Sequence, residues 1–362
     1  MRVPASSPSA TTNDPLDFAN YYPSLSHITY ESEVIPLSEP EGNALRRLCE
    51  EKRHSLDPNS LVKPDDKIAL DAIASSIDAA ILRMYGTETR HTPVFIRLST
   101  RSPKDARLGP KHADEMSALI DEALVDLAVE DSHGYEGTDD IDQDTAVAAV
   151  TRACVAINQV TSGDQAVALL GSSRRVFQDL TGRLLVADDA HPFAMSVIVR
   201  KWDDVMVPEA ELRVWIYNGT VTAVSQYYKA LWVSFFDRVT SLSDLEDQVN
   251  AFLTSSLLPA LPESIPSCVA DIAVGYPDPD TGILPLSVVE LNHFAATTSP
   301  ALFDWTEDED VLCDQSAERP VWRIRQSSTG HARSSLYLPL RNLLDDMYPI
   351  PDPNASSWCT LL

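Results

Sequence analysis

The sequence is poor in several things at once. No uninterrupted apolar run approaches the ~20 residues needed to cross a bilayer, so no membrane-spanning helix is expected. The opening stretch, MRVPASSPSATTNDP, lacks the apolar core of a secretory signal and reads as a disordered lead. Cysteine is scarce: Cys49, Cys154, Cys268, Cys313 and Cys359 are odd in number, widely spaced and without a C-x-x-C pair. That excludes a disulfide framework and a zinc cluster, and it suits free thiols in a reducing, cytoplasmic setting. Cations are outnumbered, with 28 Lys and Arg against 54 Asp and Glu, a formal charge of −26. So acidic a surface repels phosphate backbones and anionic headgroups, so neither nucleic acid nor a membrane is an expected partner. No internal repeat is present.

What is there suffices for a sizeable core: 362 residues, 44% of them hydrophobic. Residues 52–67 are polar, contain two prolines and read as a loop. Asp65 to Tyr85 has helical period, and Val94-Phe95-Ile96 is a short strand halted at Ser102-Pro103. Met116, Ile120, Ala123 and Leu127 mark one face of a helix over 112–130. An acidic stretch with two glycines, Asp131 to Asp144, reads as a solvated loop. Helices are expected over Thr145–Val160 and Asp164–Leu180. Strands are expected at Met195–Val199, Glu211–Tyr217 and Thr220–Tyr227. Between the last two, Asn218-Gly219 supplies the two positive-φ positions of a type I′ hairpin. Ser243 and Glu246 form a candidate capping box ahead of Leu245, Val249, Phe252 and Leu257. Cys268–Val274 and Leu284–Leu291 close the series of strands. The pattern is α+β with mostly antiparallel neighbours. The expected organisation is a disordered lead (1–20), an N-terminal lobe with a helical insert (21–194), a C-terminal lobe (195–340) and a tail (341–362).

Three segments concentrate polar groups beyond structural need. In Arg97-Leu98-Ser99-Thr100-Arg101-Ser102-Pro103-Lys104-Asp105, cations and hydroxyls follow directly on a strand. Arg97, Ser99 and Arg101 share a face if the strand continues, a surface suited to a polyphosphate. In the second, Val199-Arg200-Lys201-Trp202-Asp203 leads through Val207-Pro208 to Glu211-Leu212-Arg213, with Glu211 and Arg213 on one face. In the third, Glu290 and Asn292 point to the same side of an apolar strand, and Asp271 lies on the preceding one. A carboxylate or amide oxygen suits a hard cation, and Mg²⁺ takes one or two carboxylates plus phosphate oxygens.

With these residues in hand, the chain resembles the cell-division-cycle-protein-123 family. The resemblance runs from about Tyr21-Tyr22-Pro23 to Leu302-Phe303-Asp304-Trp305. It is carried by Ser102-Pro103-Lys104-Asp105-Ala106, Arg200-Lys201-Trp202, Glu211-Leu212-Arg213-Val214, Ser225-Gln226 and Glu290-Leu291-Asn292-His293-Phe294. It implies an ATP-grasp-like fold, two α+β lobes whose mostly antiparallel sheets clamp ATP. It places Arg97 at the family's phosphate-binding lysine, and Lys201, Trp202 and Asp203 in the hinge beside the adenine. Arg213 is implied at the phosphates, and Asp271, Glu290 and Asn292 at the metal. The sequence also departs from the family. Arg97-Leu98-Ser99-Thr100 replaces a lysine-leucine-asparagine-tryptophan run, Glu290 replaces an aspartate and His293 a proline. Arginine keeps the charge but presents a planar fork in place of a compact ammonium.

The resemblance implies ATP and Mg²⁺ as cofactors. Divergence beside the ATP leads to the expectation of a ligase that joins a carboxylate to an amine through an acyl phosphate. Arg97, Arg101 and Arg213 are then the expected catalytic cations, and small-molecule acids and amines the substrates. The alternative is a cytosolic ATP-binding chaperone for assembly of eukaryotic translation initiation factor two. Finally, Cys359-Thr360-Leu361-Leu362 has the form of a prenylation signal. Acidic Asp345, Asp346 and Asp352 upstream oppose stable anchoring, so an incidental cysteine is the expectation.

Overall fold

The computed structural model describes residues 14–54, 63–86, 92–108, 110–130, 141–238, 241–316 and 318–348. Most of the lead, the middle of the 52–67 loop, residues 131–140 of the acidic stretch and Cys359 lie outside the described residues.

The chain divides into two compact units. The first takes its described residues from Met1–Arg107, Asn158–Lys229 and Val233–Arg325, and the second from Leu108–Ile157, Ala230–Trp232 and Gln326–Leu362. This division crosses the expected lobe boundaries. The lead already ends at Phe18, because Asp17 caps a helix there and accepts the Ala19 N–H at 3.2 Å. A break at residue 194 would also separate a strand from its own sheet.

That sheet has the order β1-β4-β2-β3, with all pairs antiparallel. Its strands are β1 (Ser32–Pro36), β2 (Val94–Leu98), β3 (Gln159–Val160) and β4 (Ser196–Lys201). Helices α1 (Phe18–Leu25), α2 (Glu39–His54) and α3 (Pro64–Tyr85) precede β2, while α6 (Gly163–Leu170) and α7 (Arg174–Val186) follow β3. Alternation along the strands decides which face goes where. Ile96, Leu98, Val197 and Val199 are buried in one cluster with Leu45, Ile73, Ile77, Leu170 and Leu180 of α2, α3, α6 and α7. The opposite face carries Arg97 and Arg200. Close helix packing requires one glycine here. A Cβ on Gly163 would lie 2.0 Å from the Ala74 carbonyl oxygen of α3.

The second sheet of this unit has the order β8-β7-β5-β6-β9. Its strands are β5 (Leu212–Tyr217), β6 (Thr220–Gln226), β7 (Cys268–Val274), β8 (Leu286–Asn292) and β9 (Val321–Arg323). Only the β6–β9 pair is parallel. Asn218 and Gly219 turn the β5–β6 hairpin with φ of 46° and 77°, as the sequence requires. Between β6 and β7 lie α8 (Phe235–Arg238) and α9 (Leu242–Phe252), then a π-helical turn at Leu253–Leu257 and α10 (Leu258–Ala260). The cap of α9 is Ser241, which accepts from the Asp244 N–H, and not the expected Ser243. On one face of this sheet, Trp215, Ala223 and Val269 pack with Phe294, Ala301, Phe303, Trp305 and Leu312 of the segment after β8, which includes α11 (Glu309–Leu312).

The second unit holds α4 (Ala113–Glu130), α5 (Gln143–Ala156) and α12 (Leu338–Met347), and α12 packs on both α4 and α5. The expected helix over Thr145–Val160 therefore ends at Ala156, and its last two residues form β3. The expected helix over Asp164–Leu180 is two helices, broken at Gly171-Ser172-Ser173.

Candidate functional site

A polar row runs across the five-stranded sheet. Glu290 lies opposite Asp271, Asp271 opposite Arg213, Arg213 opposite Ser225, and Ser225 opposite Arg323. Directly opposed residues share a face, so pairing alone assembles the row. A register shift beside Asp271 leaves an extra β8 residue next to Glu290. Such bulges re-aim side chains. The row shares its face with Trp215, so an aromatic cluster walls one side.

Arg213 grips Asp271 with two bonds: Nε to Oδ1 and Nη2 to Oδ2, both 2.8 Å. Its Nη1 donates to the Ser299 carbonyl at 2.7 Å, and Tyr227 lies under it with the ring centre 4.6 Å from Cζ. Asn292 Nδ2 adds a third bond to Asp271, at 3.0 Å. The two partners respond differently to this burial. Burial pushes Asp271 above its ordinary value, against the pull of Arg213, whereas Arg213 overcomes its own burial and is held protonated by Asp271. The bidentate geometry favours the ionised pair.

The four-stranded sheet contributes its open face. Arg97 is opposite Ile198, two residues before Arg200, so both arginines project on one side. Arg97 Nη1 meets Glu290 Oε2 at 2.8 Å and thereby joins the two sheets. Phe18 of α1 sits near both guanidinium groups, at 5.7 Å from Arg97 and 5.0 Å from Arg200. Tyr21 of the same helix accepts the Leu291 N–H at 3.3 Å, satisfying a donor on the edge strand β8.

The charges are coupled. Burial opposes the ionised form of Glu290, but Arg97, Lys104, Arg175 and Arg200 together hold it well below the usual carboxylate range. Glu211 has the reverse fate. Burial and the nearby charge of Asp271 push it up to about 8, and its Oε1 is buried without a partner. A chain of formal charge −26 thus gathers Arg97, Lys104, Arg175, Arg200 and Arg213 around Glu211, Asp271 and Glu290. The site is locally cationic, most of all when Glu211 is protonated.

Of the residues expected from sequence, Arg97, Arg213, Asp271, Glu290 and Asn292 come together. Arg101 does not share the strand face. The chain turns after Leu98, whose N–H donates to the Arg101 carbonyl at 3.0 Å, and Arg101 is instead paired to Asp179 of α7. Lys201, Trp202 and Asp203 lie where the chain leaves β4 for the second sheet. Lys201 pairs with Glu31, the Trp202 N–H donates to Tyr85 Oη at 3.2 Å, and Asp203 accepts from the Val205 N–H. Among the described residues no three His, Cys, Asp or Glu side chains form a metal cage. Sequence reasoning placed Lys104 and Arg200 in polar segments without giving them a role, and passed over Arg175. Arg200 had a readable signal, a cation inside the β-branched run Ser196-Val197-Ile198-Val199.

The D123 family profile matches residues 154–339, just over half of the chain. Cell division cycle protein 123 of Eremothecium gossypii is 30% identical over 142 residues, which span 38% of this chain and 37% of that protein. A translation initiation factor eIF2 assembly protein of Vanderwaltozyma polyspora is 26% identical over 162 residues, 43% of this chain and 39% of that one. The chain thus matches well under half the length of these relatives. The solved structure of Cdc123 from Schizosaccharomyces pombe aligns with a TM-score of 0.49 and 18% identity, over 86% of this chain and 96% of that one. The chain belongs to the D123 family, that of cell division cycle protein 123. The ligase expectation, with its small-molecule acid and amine, is overturned: the relatives carry the names of a cell division cycle protein and an eIF2 assembly protein, not of an enzyme. The geometry agrees with the correction, since the three supposed catalytic cations Arg97, Arg101 and Arg213 each hold a carboxylate of the protein itself.

Proposed function

We propose that this chain binds Mg²⁺ and ATP between its two sheets, in the manner of an ATP-grasp protein, and assists the assembly of eIF2. One observation carries the nucleotide part: a cluster with more cations than carboxylates faces inward in a molecule of formal charge −26. The partner part rests on family membership and on the name of the Vanderwaltozyma relative.

The residues fit the two groups. Glu290, Asp271 and Asn292 supply oxygen donors on adjacent strands, a set that suits Mg²⁺ completed by phosphate oxygens. Asp271 Oδ2 already accepts from Arg213 and Asn292, but Oδ1 accepts from Arg213 alone and has a second lone pair to give. Mg²⁺ would supply charge neutralisation for the phosphates. Arg213 would then bridge metal-binding carboxylate and anion, and Arg97 would keep Glu290 ionised. When bound, ATP would supply a group held by both sheets.

Calorimetry with ATP and Mg²⁺ tests the first part. Asp271→Ala, Glu290→Ala and Asn292→Ala are each expected to weaken Mg-dependent ATP binding by roughly tenfold or more. Unchanged affinity in all three would remove the metal assignment. For the second part, purified eIF2 subunits are mixed with and without this protein and ATP. More three-subunit complex is expected with both present, and an equal yield without them sinks the reading.

A further inference from the structure

Strand β8 lies at the edge of its sheet, and one stretch of chain runs along its open side. The Val288 N–H donates to the Ile28 carbonyl at 2.8 Å, and the Thr29 hydroxyl donates to the Val288 carbonyl at 2.6 Å. Thr29 and Val288 also form a parallel bridge. Earlier in the same stretch, Tyr21 accepts the Leu291 N–H at 3.3 Å. These contacts meet backbone groups that an edge strand otherwise leaves unpaired.

Their spacing has a cause. On a regular strand, outward N–H groups recur at every second residue, whereas those of Val288 and Leu291 are three residues apart. Asp271 faces Glu290 and Ile272 faces Val288, so Val289 is the extra residue of a bulge and shifts the parity. The stretch from Tyr21 to Thr29 thus holds β8 on both sides of that bulge. The hold at Leu291 fixes the peptide plane between Glu290 and Leu291. Glu290 stands opposite Asp271, and Asn292 bonds to it, so that plane lies between the two β8 residues of the candidate metal site.

Tyr21 is itself firmly placed. It is 1% exposed and packs edge-on against Phe18, with ring centres 5.3 Å apart. Its helix α1 is fastened to the turn after β2, where the Phe18 N–H donates to the Ser99 carbonyl at 2.9 Å and the Ser99 hydroxyl to Asp17 at 3.0 Å. Burial pushes the Tyr21 hydroxyl up to about 12, so it stays neutral and acts on Glu290 and Asn292 through the backbone, not by charge.

We propose that Tyr21 is a positioning residue of the metal site: by holding the Leu291 N–H beyond the β8 bulge, it keeps Glu290 and Asn292 aimed at one cation. The proposal rests on the Mg²⁺ reading above.

Calorimetry with ATP, in excess Mg²⁺ and again in EDTA, tests this on the wild type, Tyr21→Phe and Tyr22→Phe. Tyr22 is the control. It lies on the same helix, and its hydroxyl also accepts a backbone N–H, that of Ser32 at the start of β1, at 2.9 Å. Both variants leave one amide without its acceptor, so both are expected to melt below the wild type. Only Tyr21→Phe is expected to lose the gain in ATP affinity that Mg²⁺ brings, by roughly tenfold, with affinity in EDTA unchanged. Hydrogen exchange of the ligand-free proteins gives an independent readout: the Leu291 amide should exchange faster in Tyr21→Phe, while β7 stays protected as in the wild type. A hydroxyl serving the fold alone would weaken ATP equally with and without Mg²⁺, or leave both affinities unchanged at a lower melting temperature, and either result overturns the proposal. If Mg²⁺ adds nothing to ATP affinity in the wild type, the metal reading falls and takes the proposal with it. If the gain is present in the wild type and undiminished in Tyr21→Phe, the proposal falls alone.

Discussion

Arg213 and Asp271 face each other across β5 and β7, at 4% and 0% exposure. Removing one partner of such a pair leaves an uncompensated buried charge, a loss of about 3–5 kcal/mol, whereas removing both can cost far less. Arg213→Met and Asp271→Leu singly are therefore expected to lower the unfolding free energy by about that amount, and the double variant by less than either. Urea denaturation of the three variants measures it, and additive losses would mean the pair is not coupled. Glu211 offers a test of sign. Its folded-state value, raised to about 8, exceeds its ordinary value, so between the two the folded state holds a proton that the unfolded state has lost. Its contribution to stability is thus present in full below the ordinary glutamate range and fades as pH rises towards 8. Glu211→Gln should flatten the fall of melting temperature from pH 5 to pH 9 and melt above the wild type at the alkaline end. Parallel pH profiles for the two proteins would remove this account.

Among the elements, those legible in the sequence are the ones with a local signal. The helix at Pro64–Tyr85 has a clear period, and the β5–β6 hairpin has Asn218-Gly219. The strands β3 and β9 were not legible, because two and three residues carry too little period to stand out, and β1, as long as the legible β2, was passed over as well. The break between α6 and α7 was missed for another reason. Gly171-Ser172-Ser173 is a weak stop signal, and Ser173 is made a cap by accepting the Val176 N–H and by its bond to Asp105, which lies 68 residues away. The site was legible where alternation alone decides it, as for Glu290 with Asn292. It was illegible where the chain turns, as at Arg101, whereas Arg200 could be read as a cation on an apolar strand but was given no role. Gly163 shows how tightly two elements can specify one residue. A Cβ there would meet backbone of α3 at 2.0 Å, and backbone cannot yield as a flexible side chain does. The Gly163 N–H also donates to Asp78 of α3 at 2.6 Å. Gly163→Ala therefore gains helix propensity but forces α6 off α3, with an expected loss of about 1–3 kcal/mol. A variant as stable as the wild type in urea would show that the helices have room to separate.

At the scale of the molecule, the second unit is assembled from three stretches of chain, and the last of them begins at Gln326. That stretch does more than trail behind the fold. Leu340 and Leu344 of α12 are buried, and α12 lies on α4 and α5. Arg333 is 4% exposed and donates to the Tyr348 carbonyl at 2.6 Å, tying the start of the stretch to the end of α12. Ser328 bonds to Asp144 in the first turn of α5, and the other Asp144 oxygen accepts the Trp232 N–H at 2.7 Å. One buried carboxylate thus joins all three stretches. A chain cut after Arg325 loses two buried leucines, worth about 1.5–3 kcal/mol each, together with one partner of that carboxylate. Helix α4 carries six acids and no cation of its own, so what remains to hold it is its packing on α5 and the Arg152–Glu130 pair. Hydrogen exchange on the truncated protein is expected to show α4 and α5 losing protection, while β4, β5 and β7 of the first unit keep theirs. Uniform protection in α4 and α5 after truncation would mean that these two helices hold without α12, and uniform loss across β4, β5 and β7 would mean that the two units unfold as one.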